Sequence, residues 1–74
     1  MFQLKSAPPA RALKPYRNWS QLVGEHVEVW LEGEYIRNGR VEDVMPDDSI
    51  LWVAAEGART RQLFDKFSGY EVRL

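Results

Sequence analysis

The chain has no cysteine and a single histidine among its 74 residues. Disulfides and thiolate metal sites are therefore excluded, and a structural zinc centre has too few ligands to form. Long apolar runs are also missing, since nothing approaches the roughly 20 residues that cross a bilayer. The opening MFQLKSAPPA lacks the charged-then-apolar order of a secretory signal. The expectation is a soluble cytoplasmic protein held together by packing alone, with no membrane association. At this length a chain buries only about 60% of the surface its unfolded form exposes, so one small, well-filled core is expected.

Charge of one sign is missing from the first third. Residues 1 to 24 hold Lys5, Arg11, Lys14 and Arg17 and no acid, for +4. Residues 25 to 74 hold six basic residues against all eleven acids, for −5. A basic segment on an acidic body can reach for a polyanion or fold back on its own domain, and the fold-back is the favoured expectation. Pro8, Pro9 and small residues deny residues 1 to 14 any helical or strand period. The chain divides accordingly into an extended basic arm, residues 1 to 18, and a folded domain, residues 19 to 74. One short helical turn is expected within PYRNWSQLVG, with Asn18 or Ser20 as cap, Gly24 as stop, and Trp19, Leu22 and Val23 facing the core.

What is abundant is period-two alternation. Val27, Val29 and Leu31 share one face of EHVEVWLE, and His26, Glu28, Trp30 and Glu32 the other. A two-residue turn at Glu32-Gly33 pairs Leu31 with Glu34, Trp30 with Tyr35, Val29 with Ile36 and Glu28 with Arg37. Ile36 and Val41 are an odd number of positions apart, so a bulge at Asn38-Gly39 is expected if both point inward. SILWVAA gives a third strand with both faces apolar: Leu51, Val53 and Ala55 inside, Ile50, Trp52 and Ala54 outside. That outer face needs a cover, from the arm with Phe2, Tyr16 and Trp19 or from another subunit. A turn at Glu56-Gly57 then sets Trp52 beside Arg61 and Ala54 beside Arg59. RTRQLF and GYEVRL supply two more strands around a tight turn at residues 64 to 67. The expected fold is all-β, a small five-stranded barrel behind an N-terminal arm.

Five strands with a long bent second strand and a tight turn before the last resemble the SH3-like small barrels, which include the Sm-like proteins. LVGEHVEVWLEGEYIRNGRVEDV resembles the first Sm motif through Val27, Val29, Leu31, Gly33, Gly39 and Val41, and GYEVRL resembles the second through Val72 and Arg73. The two glycines lie six apart here instead of five, and Leu74 stands where the second motif has glycine. The resemblance implies an SH3-like or Sm-like architecture and, through the Sm branch, single-stranded RNA as a ligand.

Catalytic constellations are absent from the sequence. There is no Ser-His-Asp or Cys-His set and no phosphate loop, and His26 sits on an outward strand position. Glu42, Asp43, Asp47 and Asp48 match no EF-hand spacing. No enzyme activity, cofactor or small-molecule substrate is expected. The residues that stand out are Trp30, Tyr35 and Trp52 on outer faces, with Arg37, Arg59 and Arg61 as polar support. Such a set suits a protein interface or self-association, single-stranded nucleic acid, or a second small core under the arm. The body's negative charge opposes a polyanion. A non-enzymatic binding or assembly module is the reading carried forward, with a protein partner or homo-oligomer ahead of an Sm-like RNA binder. A further idea is that the proline-containing arm, APPARALKP, lies in an aromatic groove flanked by Asp47 and Asp48.

Overall fold

A computed structural model describes residues 13 to 74. The described chain is all-β, with six antiparallel strands: β1 (Pro15–Tyr16), β2 (His26–Leu31), β3 (Glu34–Val44), β4 (Ile50–Val53), β5 (Gln62–Asp65) and β6 (Tyr70–Arg73). Their order is β1-β6-β2-β3-β4-β5. The expected five-stranded closed barrel is thus corrected to a six-stranded open sheet. β5 pairs only with β4 and does not return to β1.

The added strand comes from the segment assigned to the arm. Pro15 lies opposite Arg73 and Tyr16 opposite Val72. Lys14 and Leu74 extend this ladder, with Leu74 N–H donating to the Lys14 carbonyl (3.1 Å). The arm residues before Leu13, including Phe2, Pro8 and Pro9, lie outside the described residues.

β3 is the element shared by both halves of the sheet. Its first part, residues 34 to 40, pairs with β2, and its last part, residues 41 to 44, pairs with β4. The turn between β2 and β3 has positive φ at both central residues, Glu32 (50°) and Gly33 (82°), the geometry that matches hairpin twist. Leu31 faces Glu34 and Trp30 faces Tyr35 as expected. The ladder then slips by one at Ile36, so Val29 faces Arg37 instead of Ile36, and Val27 faces Gly39. The bulge therefore sits two residues earlier than Asn38-Gly39, turning Ile36 outward and Arg37 inward. A second irregularity at Glu42, between Val41 and Asp43, lets the strand bend toward β4.

The core lies on the inner face. Val27 and Val29, Val41, Leu51 and Val53, Phe64, and Val72 contribute one or two side chains from each of β2 to β6, and Trp19 and Leu22 from a 3-10 turn (Trp19–Leu22) complete it. Trp19 is thus a core residue and does not cover the outer face of β4. Its indole N–H donates to the Tyr16 carbonyl (3.1 Å), which ties the turn to β1. Asn18 precedes the turn without a capping side-chain bond, and Val23 points to solvent. A second 3-10 turn (Lys66–Ser68) joins β5 to β6, capped by Asp65, whose carboxylate accepts from Phe67 N–H (2.9 Å) and the Ser68 hydroxyl (3.1 Å). It begins two residues after the start of the turn expected at 64 to 67, because Phe64 and Asp65 belong to β5. No helix among the described residues is long and apolar enough to cross a membrane.

Candidate functional site

The six residues singled out in the sequence fall into separate places. Trp30 and Tyr35 meet edge to face across the β2–β3 hairpin, with ring centroids 5.6 Å apart. Neighbouring β6 adds Arg73, whose guanidinium lies 4.0 Å above the Trp30 ring and pairs with Glu71 at 2.8 Å. Glu28 lies on the same outer face and accepts from the Trp30 indole N–H (3.0 Å). Expected to be solvated, Glu28 is instead 5% exposed, and its second oxygen, Oε2, has no hydrogen-bond partner among the described residues. An orphaned buried acceptor of this kind costs about 1–3 kcal/mol.

Trp52 occupies a different part of the outer face. Tyr35 and the Trp52 partner Asp43 lie eight positions apart along β3. At about 3.3 Å per residue, the two aromatic groups sit at opposite ends of the longest strand. Trp52 is half-buried beside its cross-strand partner Leu63, which is 48% exposed. Arg61 lies 5.1 Å from the Trp52 ring centre and pairs with Glu42 through Nε (2.9 Å). The β4–β5 register differs by two from the expected one. Gly57 and Ala58 form the loop, closed by paired backbone bonds between Glu56 and Arg59 at 2.9 Å. A shift of two preserves every face, which is why Trp52 and Arg61 still meet. Arg59 lies at this loop tip, away from the aromatic rings' cross-strand neighbours.

Arg37 has a role that sequence alone misplaced. It is 2% exposed and reaches across the interior side, donating to the carbonyl of Asn38 (3.2 Å), the carbonyl of Thr60 (3.4 Å) and Gln62 Oε1 (3.2 Å). Burial, followed by the nearby Arg59 charge, lowers its pKa from the ordinary value, with Glu56 and Tyr35 opposing. It links β3 to the start of β5, and Nη2 remains without a partner among the described residues. It is a structural clamp and not a surface contact.

A cavity of about 340 Å³ opens at the other end of the sheet, lined by Pro15, Tyr16, Arg17, Trp19, Lys66, Gly69, Tyr70 and Glu71. Lys66 sits 4.8 Å over the Trp19 ring, donates to the Arg17 carbonyl (2.6 Å) and pairs with Asp48. Asp48 also accepts from Ser20 N–H (2.7 Å). Asp48, one of the two acids expected to flank the arm's groove, is therefore spent on Lys66 of its own chain. The hollow is not legible in the sequence because its lining comes from two stretches, residues 15 to 19 and 66 to 71, that lie far apart in the chain and share no motif. Tyr70 itself is visible as part of an alternating strand, and packs edge to face on Phe64 (5.0 Å).

Chemistry at the acids is limited. Asp47 accepts from the Ser49 hydroxyl (2.6 Å) and N–H (3.1 Å), Asp43 accepts from Val44 N–H (2.9 Å), and Glu42 holds Arg61. The Ser49 hydroxyl, then its N–H, holds the Asp47 carboxyl below the ordinary carboxylate range. Among the described residues no three His, Cys, Asp or Glu side chains gather where a metal ion could be held. Comparison with family models, with curated proteins and with solved structures finds no match.

Proposed function

We propose that this chain is a non-enzymatic binding or assembly module of SH3-like architecture whose contact surface is its outer aromatic face. The architectural part rests on the long bent β3, the hairpin that precedes it and the 3-10 turn before β6. The functional part rests on one observation: Trp52 and Leu63 lie side by side on the outer face of β4 and β5, with Leu63 nearly half exposed. Paired large apolar side chains at the surface, rimmed by Arg61 and Glu42, have the composition of an interface centre with a charged rim. Trp30 and Tyr35 form a second aromatic patch on the same face. Single-stranded RNA is the lesser reading, because Arg73 and Arg61 already occupy one face of each outer indole, where a base would stack.

Fluorine spectroscopy on chain labelled with 5-fluorotryptophan tests this directly, since the three tryptophans give one resonance each and buried Trp19 serves as internal reference. The Trp52 or Trp30 line broadens or shifts in concentrated solution or cell extract while the Trp19 line holds. If all three lines stay sharp and fixed under both conditions, the proposal fails. A shift on adding single-stranded RNA that weakens steeply with salt transfers the surface to the RNA reading.

A further inference from the structure

We infer that the free edge of β5 pairs antiparallel with the β5 of a second copy of this chain, with Leu63 on the two-fold axis. The inference deepens the assembly reading above and rests on it.

All four inner strands of the sheet have both edges occupied. β6 is flanked by β1 and β2, and β2, β3 and β4 each have two neighbours. That leaves β1 and β5 at the two ends among the described residues. β1 is two residues long, and its Pro15 has no N–H to offer. β5 is twice as long, with no proline and no bulge to blunt its edge, and its one charged residue is Asp65.

The direction of its backbone groups follows from the ladder. Lys66 N–H donates to the Ser49 carbonyl (2.9 Å), on the β4 side. On the β3 side, Ala54 N–H donates to the Arg40 carbonyl and Met45 N–H to the Ile50 carbonyl, both 2.9 Å. Ile50, Trp52 and Ala54 therefore bond toward β3, and Leu51 and Val53 toward β5. In the observed register these last two meet Phe64 and Gln62. Backbone groups alternate sides along an antiparallel strand, so Leu63 and Asp65, with Arg61 continuing the alternation, send N–H and C=O to the open side.

Self-pairing is then restricted to registers that match outward residues with outward residues. Centring on Leu63 uses all three: Leu63 meets Leu63, and Arg61 meets Asp65 on both sides of the axis. The side chains agree with the backbone. Phe64 is buried in the core, so residues 61, 63 and 65 share the outer face. Each Arg61 faces an opposite charge and the apolar pair sits at the centre. Arg61 spends only Nε on Glu42, and its terminal nitrogens have no partner among the described residues. The Asp65 carboxylate, although it caps the following turn, keeps lone pairs to spare. Trp52 flanks each Leu63, so the pairing gathers the outer apolar residues of both copies along one continuous sheet.

The absence of cysteine makes a direct test available on the full chain. Residues exchanging both backbone bonds across an antiparallel pair have Cα atoms about 5.5 Å apart, a spacing a disulfide spans. Leu63→Cys is expected to oxidise rapidly to a covalent dimer, whereas Ile36→Cys, on the outer face of β3, is not. In sedimentation equilibrium the natural chain is expected at 17.2 kDa, twice its 8.6 kDa. Leu63→Lys, which places two ammonium groups together on the axis, is expected at the monomer mass with an unchanged circular dichroism spectrum. A natural chain that stays monomeric, a Leu63→Lys chain that stays dimeric, or equal cross-linking of both cysteine variants overturns the pairing. A dimer insensitive to Leu63→Lys, with Trp30 or Trp52 still perturbed by fluorine spectroscopy, refutes this edge while leaving the outer-face reading standing. Unmoved fluorine lines refute that reading itself.

Discussion

Gly39→Ala is the substitution whose outcome the packing decides most sharply. Gly39 lies in the middle of β3, buried and opposite Val27, with an ordinary φ that alanine tolerates. On backbone grounds alone the change should stabilise by about 0.4–1 kcal/mol, through loss of freedom in the unfolded chain. Space argues the other way. A Cβ at this position would lie 2.4 Å from Val53 Cγ1 and 3.2 Å from Arg37 Nη2. Carbon atoms pack at about 3.5–4.0 Å, so an ångström or more must be recovered. Val53 is fully buried, and its branched side chain is stiff at χ1. Arg37 is pinned by Thr60, Gln62 and Asn38. Overpacking a fixed site costs about 1–3 kcal/mol, so net destabilisation of about 1–2 kcal/mol is expected once the entropic gain is subtracted. Urea denaturation reads this as a lower midpoint at constant slope. Val53→Ala removes the obstructing methyl, so in a double-mutant cycle the two changes should couple favourably by about 1 kcal/mol or more. A Gly39→Ala chain as stable as the natural one, or strictly additive effects, would refute the account of why glycine stands there.

Glu32→Asn should raise stability by about 0.5–1 kcal/mol in the same assay, because Glu32 holds a positive φ that asparagine adopts more readily. Asp48→Ala removes the carboxylate that joins Lys66 to Ser20 N–H; amide exchange should quicken at Ser20, and unchanged protection there would show that the joint is not holding the turn. Asp47 titrates below the ordinary carboxylate range, so its folding contribution is present above the unfolded-state pKa and lost as pH falls through the lowered folded value. Carbon-detected titration should show that depressed midpoint, and Ser49→Ala should move it back up. Arg37→Lys, which cannot reach Asn38, Thr60 and Gln62 together, should loosen residues 56 to 62 and lower the thermal midpoint.

Strands with a clean period of two were legible from residues alone. Val27, Val29, Val41, Leu51, Val53 and Val72 all reach the core, and the Glu32-Gly33 turn fixes the hairpin end as expected. What escaped has a common cause. Pattern reading assigns charged residues to the outside, so Arg37 and Glu28 were placed in solvent, and the bulge was moved to the glycine to keep Ile36 inside. The chain instead buries a guanidinium held by the Asn38 and Thr60 carbonyls and Gln62 Oε1, with Nη2 unpaired among the described residues, and lets Ile36 lie at the surface. β1 escaped because two residues beginning with proline carry no period, and their partner strand is nearly sixty residues away. The two outer aromatic groups were read as one site because alternation gives the face of a side chain but not its position along a long strand.

The ladder between Lys14 and Leu74 places two distant points of the polypeptide side by side. With residues 1 to 13 left off, a short linker bridging them would let new termini be cut at Gly57-Ala58, the loop tip nearest the open edge. Such a permuted chain would keep every strand neighbour while putting a tag beside β5, where bulk should act as a steric plug on any strand trying to dock there.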